Sequence, residues 1–154
     1  MCSVILIRST LISLLLVAAV SARATAEAAI GQIKTASGEV TVLRGGVSQK
    51  AGPGDRVFQS DVLATGSDGS VGITFADNSM MSLGPDSKLS LDQFRFDTTT
   101  HEGVFDSSLA NGTLAVKSGQ IVKQTPEAMK VRTPGALLGV RGTEFVVRAD
   151  GGGK

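Results

Sequence analysis

Along this sequence apolar residues recur at every second position in short runs, and each run is stopped by glycine, proline or an Asn-Gly pair. Gly38 to Leu43 (GEVTVL) alternates through Val40 and Val42 and halts near Gly45-Gly46. Ser70 to Ala76 (SVGITFA) sets Val71, Ile73 and Phe75 on one face, and Ser79 to Leu83 (SMMSL) does the same with Met81 and Leu83. A period of two marks a half-buried strand, because successive side chains of extended backbone point to opposite faces. All 19 glycines lie from Gly31 onward. Glycine weakens helices and opens positive φ for tight turns, so the pattern predicts many short strands and few helices.

The polar link Ala76-Asp77-Asn78 joins two of these runs as a hairpin, since Asp and Asn bond locally to the backbone and tolerate left-handed geometry. Lys88 to Phe96 (KLSLDQFRF) alternates at Leu89 and Leu91 and resumes at Phe94 and Phe96. The odd step predicts a bulge near Asp92-Gln93. Short runs follow at Gly112–Val116, Gly119–Val122 and Met129–Thr133, with Asn111-Gly112 read as a turn. Thr98–Ser108 (TTTHEGVFDSS) is polar and reads as an exposed loop that Phe105 can clamp to the core. DVLATGSDGSVGITF (61–75) is echoed by MKVRTPGALLGVRGTEF (129–145), which favours stacked rungs. The expected architecture is all-β, with short strands stacked as a β-solenoid-like roll or sandwich.

The first 26 residues stand apart. Arg8, the apolar run LISLLLVAAV and the exit Ala24-Thr25-Ala26 describe a secretory signal peptide cleaved after Ala26, the alternative being an uncleaved anchor. The expected divisions are a leader over 1–26, a linker over 27–37, the all-β domain over 38–148, and a frayed or truncated tail over 149–154. Loss of the leader removes Cys2, the only cysteine, together with Arg8 and Arg23, which leaves 13 basic residues against 14 acidic ones. A near-neutral chain exerts no general pull on nucleic acid or anionic lipid. Without a thiol it has no disulfide, thiolate metal site or cysteine nucleophile. The expected location is periplasmic or secreted, without stable membrane insertion after cleavage.

Candidate chemistry is sparse. His101, the single histidine, has Glu102, Asp106, Ser107 and Ser108 close in sequence, as any polar loop would. Asp61, Asp68, Asp77, Asp86 and Asp92 lie near turns but miss the D-x-D-x-D-G spacing of calcium loops. With no Trp or Tyr, the usual surfaces for stacking sugars are absent. No cofactor, metal or catalytic set is expected. A hydrolase built on His101 is the remotest of the readings.

One stretch, TPGALLGVRGTEFVV (133–147), fits neither period. Thr133 is pushed toward extended backbone by Pro134. Ala136-Leu137-Leu138 is expected to make one short turn over the end of the roll, with Gly139 and Gly142 reversing the chain. Arg141 between them is expected to cap carbonyls or pair with Glu144, partner recognition being the alternative.

GDRVFQSDVLATGSDGSVGITFADNSMMSLGPDSKLSL (54–91) followed by KVRTPGALLGVRGTEFVV (130–147) resembles the FecR-type domain, named for the regulator of ferric citrate (iron dicitrate) transport. The likeness rests on Gly54-Asp55, Asp61 with Leu63 and Thr65, the Asp77-Asn78-Ser79 turn and Leu83-Gly84-Pro85. It closes on the corner from Thr133-Pro134 through Gly139, Arg141, Gly142 and Thr143 to Phe145. The resemblance implies a periplasmic all-β domain. In its namesakes that domain hears an outer-membrane receptor and signals through a membrane helix to a cytoplasmic sigma factor. No anti-sigma segment or internal membrane helix is read in this sequence, so direct sigma-factor control is not expected. The expected function is a secreted non-enzymatic module for protein interaction or signal sensing, bound to a periplasmic or envelope protein. The alternative is an envelope-associated module that self-assembles through an open strand edge or binds polysaccharide.

Overall fold

The computed structural model describes residues 27–151, so the expected leader and positions 152–154 of the expected tail lie outside the described residues. In chain order the strands are β1 (Gly31–Ser37), β2 (Val40–Arg44), β3 (Val47–Lys50), β4 (Arg56–Val57), β5 (Val62–Thr65), β6 (Ser70–Phe75), β7 (Met80–Leu83), β8 (Lys88–Phe96), β9 (Gly103–Lys117), β10 (Met129–Thr133), β11 (Ala136–Gly139) and β12 (Glu144–Ala149). One short helix, α1 (Gln120–Gln124), lies between β9 and β10. The strands form one curled sheet shaped as a half-barrel, the all-β class that the alternation predicts.

The sheet has two walls. The first runs β4-β1-β6-β7, then the second half of β9, then β12. The second runs β3-β2-β5-β8, then the first half of β9, then β10 and β11. All neighbours are antiparallel except β9 and β10. Strand β9 belongs to both walls, and its bend falls at Asn111-Gly112, where the register against β8 slips between Lys88 and Leu89. Gly112 has φ +94 and lies against Ser87 so closely that a Cβ would overlap it. The Asn-Gly pair is therefore a bulge inside a continuous strand, not the turn its sequence suggests. The signal is shared, because both features need left-handed backbone.

Inward positions of the two walls meet in one core. Val71, Ile73, Phe75, Met81 and Leu83 line one side, and Val40, Val42, Leu63, Leu89 and Leu91 the other; all are buried. Three rings close the centre. Phe75 from the first wall meets Phe105 from the second edge-on at 4.6 Å, and Phe94 meets Phe105 at 5.0 Å. Such edge-to-face pairs favour the ring quadrupole and add to the burial of large apolar faces. The expected bulge in β8 is present between Ser90 and Gln93.

Five further expectations are corrected. Residues 31–37, assigned to a linker, form β1, whose Ile33 is fully buried against β6. A register shift between Ile33 and Thr35 breaks the alternation that would have revealed it. The exposed loop expected over 98–108 is confined to its first part, because β9 starts at Gly103 and Phe105 is fully buried. Inward Ser107 is buried as well, and a polar residue in a core position masks the period. Gly119–Val122 is no strand; its last three residues open α1, with Ile121 and Val122 buried. A parallel partner needs a crossover, and four residues carry too little period to separate strand from helix. Finally, Ala136-Leu137-Leu138 is not a covering turn but the body of β11, reached through a two-residue tip at Pro134-Gly135. Ala149, placed in the tail, is buried at the end of β12.

Both copies of the internal echo pass from the second wall to the first, β5 to β6 and β10 to β12, but the later one interposes β11. The bend in β9 gives a direct test of the two-wall arrangement. Gly112→Ala should cost about 2 kcal/mol or more, since it forces an L residue into left-handed backbone against Ser87. Gly139→Ala, with nothing within 4 Å of its Cβ position and no positive φ, should be close to neutral. Denaturant unfolding of the two variants measures the difference.

Candidate functional site

The residues singled out by the family resemblance do not converge on one site; each ties a turn or a strand end, in two cases to another of the set, Thr65 to Gly84 and Asp77 to Ser79. Asp61, at the entrance to β5, is fully buried. Its carboxylate accepts from Arg44 Nε at 2.8 Å and Nη2 at 2.7 Å, and from the Phe58 amide at 2.8 Å. Arg44 also donates to Arg56 O and lies over the Phe58 ring at 4.3 Å. The hydrogen bond to Asp61 raises the Arg44 guanidinium above its ordinary value, so it stays charged through the neutral range. Arg44 was not singled out in the sequence. Its signal was there, since it shares the parity of inward Val40 and Val42, and a charge at an inward position calls for a buried partner.

The other motif residues repeat this logic. Asp77, also fully buried, accepts from the Ser79 amide at 3.0 Å and the Ser79 hydroxyl at 2.6 Å across Asn78, whose φ is +64. Ser79 Oγ then accepts the Gly119 amide and Asp77 O accepts the Gln120 amide, which fixes the start of α1 on the β6–β7 hairpin. Thr65 Oγ1 donates to Gly84 O at 2.7 Å and accepts the Ser87 amide at 2.9 Å, clamping the turn that contains Pro85. Asp55 accepts the Gly52 amide, and Gly54, at φ +95, donates to Ile33 O. Thr133 Oγ1 accepts the Ala136 amide at the tip of the β10–β11 hairpin. The ties of Asp61, Thr65, Asp77 and Ser79 satisfy backbone groups that would otherwise be buried without partners, while those of Asp55 and Thr133 fix exposed turns.

At the corner, Ser118 Oγ donates to Gly142 O at 2.6 Å, and the Ser118 amide donates to Thr143 O. Gly142 has φ +129, whereas Gly139 sits in β11 without positive φ, so only one of the two glycines reverses the chain. Arg141 is exposed and pairs with Glu127, while Glu144 pairs with Lys117 at 3.3 Å. The expected pairing of Arg141 with Glu144 is thus replaced. Strand β12 turns Glu144 toward its neighbour β9, and the loop before α1's successor strand supplies Glu127 instead. Phe145 packs half-buried against the core. An open groove of about 500 Å³ lies between α1 and this corner, lined by Val122, Lys123, Glu127, Arg141 and Thr143.

His101 lies in the turn after β8 at φ +60, its ring stacked on Phe96 at 6.1 Å. It is not brought onto a serine, since Ser107 is buried within β9 and Ser108 donates to Asp92. In the same turn, hydrogen bonds from the Thr100 and Thr99 amides hold the Asp97 carboxyl below its ordinary value. Among the described residues no three His, Cys, Asp or Glu side chains gather, and no helix is long and apolar enough to cross a membrane.

Among the described residues the half-barrel leaves strand edges without a partner. Strand β4 is two residues long, and β3 carries Lys50, both of which discourage pairing with another strand. Strand β11 reads Ala-Leu-Leu-Gly with no charge, and Leu137 is 60% exposed. The Val140 amide donates to Met129 O, so the alternation of the ladder turns the backbone groups of Leu137 and Gly139 away from β10. Lys130 and Arg132 stand opposite them on β10.

The buried pair predicts its own mutational response. Arg44→Met leaves the Asp61 carboxylate buried without its two-pronged donor and should destabilise the fold by about 3 kcal/mol. Arg44→Met with Asp61→Asn should recover part of that loss. Thermal and denaturant unfolding of the single and double variants checks both.

Comparison with curated proteins and with solved structures gives no match. A family model described as FecR protein matches residues 61–154, from the buried Asp61 to the end of the chain. That span covers more than half of the sequence and includes the Thr65, Asp77 and Gly84-Pro85 ties together with the corner. The chain belongs to the FecR protein family.

Proposed function

We propose that the chain is a non-enzymatic FecR-type module of the periplasm or cell exterior, which senses a signal by binding an extended segment of another envelope protein along β11. The observation that carries this reading is the uncharged, uncovered β11 edge, with Leu137 exposed and two backbone positions free to pair. A strand added there gains main-chain hydrogen bonds for affinity, and side-chain pockets at alternate positions supply selection. Lys130 and Arg132, across the ladder on the same outer face, favour a partner segment that carries a carboxylate beside its apolar residue. The leader read at residues 1–26 supports the location. The mature chain is also near neutral, which suits recognition by shape and edge pairing better than attraction to a polyanion.

The partner site is tested by affinity capture from periplasmic extract with the wild type and Leu137→Lys in parallel. Leu137 is exposed, so the variant should keep the wild-type unfolding midpoint. The reading predicts a protein captured by the wild type and reduced at least about tenfold with the variant, as expected for loss of an apolar anchor at a small interface. Equal capture by both proteins, or none by either, contradicts it.

A further inference from the structure

Among the described residues strand β12 pairs only with β9, which leaves a second open edge, and its sequence is complementary to itself. The Ser118 amide donates to Thr143 O, which makes those two residues a hydrogen-bonded pair at the start of the β9–β12 ladder. Such pairs alternate in an antiparallel ladder, so Phe145, Val147 and Ala149 bond to β9. Glu144, Val146 and Arg148 turn their amides and carbonyls to the open side. The same three residues point their side chains to the outer face, where all three are exposed and Val146 is 69% exposed.

Place a second β12 antiparallel to the first with Val146 opposite Val146. Glu144 of each strand then faces Arg148 of the other, and the two valines cover each other. Backbone parity requires that any other register slip by whole dipeptides. A slip in one direction sets Glu144 against Asp150, a like-charge pair. A slip in the other direction sets Arg148 against Gly142 and loses both ion pairs. One register is therefore favoured by charge and by apolar contact together. The existing pairs of Glu144 with Lys117 and of Arg148 with Asp150 are single and exposed, so each charged group keeps hydrogen-bonding capacity for a partner. On the outer face beside Val146, a shallow groove of about 400 Å³ is lined by Met80, Ser82, Ala115 and Phe145, and the added strand would extend that surface.

We propose that two copies of this chain pair antiparallel through β12, centred on Val146, with reciprocal Glu144–Arg148 contacts, to make one sheet continuous across a two-fold axis. A closed two-fold contact of this kind buries a modest area, so the dimer is reversible and concentration-dependent. The inference does not rest on the partner site at β11, and the two fail separately, because Leu137→Lys leaves β12 unaltered.

The experiment is light scattering and sedimentation of the full mature chain over a concentration series. The wild type should shift from monomer to dimer as concentration rises. Glu144→Lys sets a lysine against Arg148 of the other copy, and Arg148→Glu sets a glutamate against Glu144 of the other copy, so each should raise the dimer dissociation constant about tenfold. An equimolar mixture of the two single variants should dimerise again, because the mixed pair restores opposite charges at both positions. Val146→Pro removes an amide that β9 does not use, so it should fold with the wild-type circular dichroism spectrum and remain monomeric. A wild type that stays monomeric throughout overturns the proposal. So does a dimer unaffected by Val146→Pro, or a mixture of the two charge variants that associates no better than either alone.

Discussion

Strand β9 bonds to β8 and β10 along its first half and to β7 and β12 along its second, and those two pairs of neighbours lie on opposite walls of the core. The chain must therefore bend a strand sharply without giving up its ladder. It does so at Gly112, where a left-handed residue with no side chain lets the backbone close onto Ser87. The Ser87 hydroxyl accepts the Thr113 amide at 3.0 Å and so replaces a ladder bond lost at the bend. With β9 bent, Phe105 from its first half reaches Phe75 across the core. Strands β7, β8, β10 and β12 are placed by the half of β9 they join, and the remaining strands extend the two walls from them.

Hydrophobic burial closes the half-barrel, but it does not by itself specify how the turns lie at its rims. That specification comes from short polar side chains. Asp61, Thr65, Asp77 and Ser79 are buried and hydrogen-bonded, and each reaches a stretch of chain distant in sequence or at a turn. Leaving any one of those groups without its partner costs its desolvation, so the turns are held to single arrangements. The family match runs from Asp61, so it takes in Thr65, Asp77 and Ser79 with their partners, while Arg44 and Phe58, the partners of Asp61, precede it. The surfaces these ties leave open are the β11 and β12 edges and the groove beside α1.

Strands whose inward positions were all apolar were legible in the sequence. Val71, Ile73 and Phe75 with Met81 and Leu83 predicted the β6–β7 hairpin, and the odd step after Leu91 predicted the bulge in β8. Elements were missed where a physical feature breaks the period. A register shift hides β1, inward Ser107 hides the first half of β9, and the brevity of α1 leaves no period to detect. Strand β11 was missed for another reason: its apolar residues lie at consecutive positions of an edge, with Leu138 half-buried and Leu137 facing solvent. The motif residues were legible as important and opaque as to role, because a tie between Asp61 and Arg44 is a matter of tertiary distance and not of spacing.

The dependence of both walls on one bent strand is measured most directly by native-state hydrogen exchange along β9. If β9 is a single cooperative spine, amides on both sides of Gly112, such as those of Phe105 and Val116, exchange through the same global opening. They then share one free energy and one dependence on denaturant. If the amides before Gly112 open with a distinctly different free energy from those after it, the walls are separate units and the account of the fold given above is contradicted.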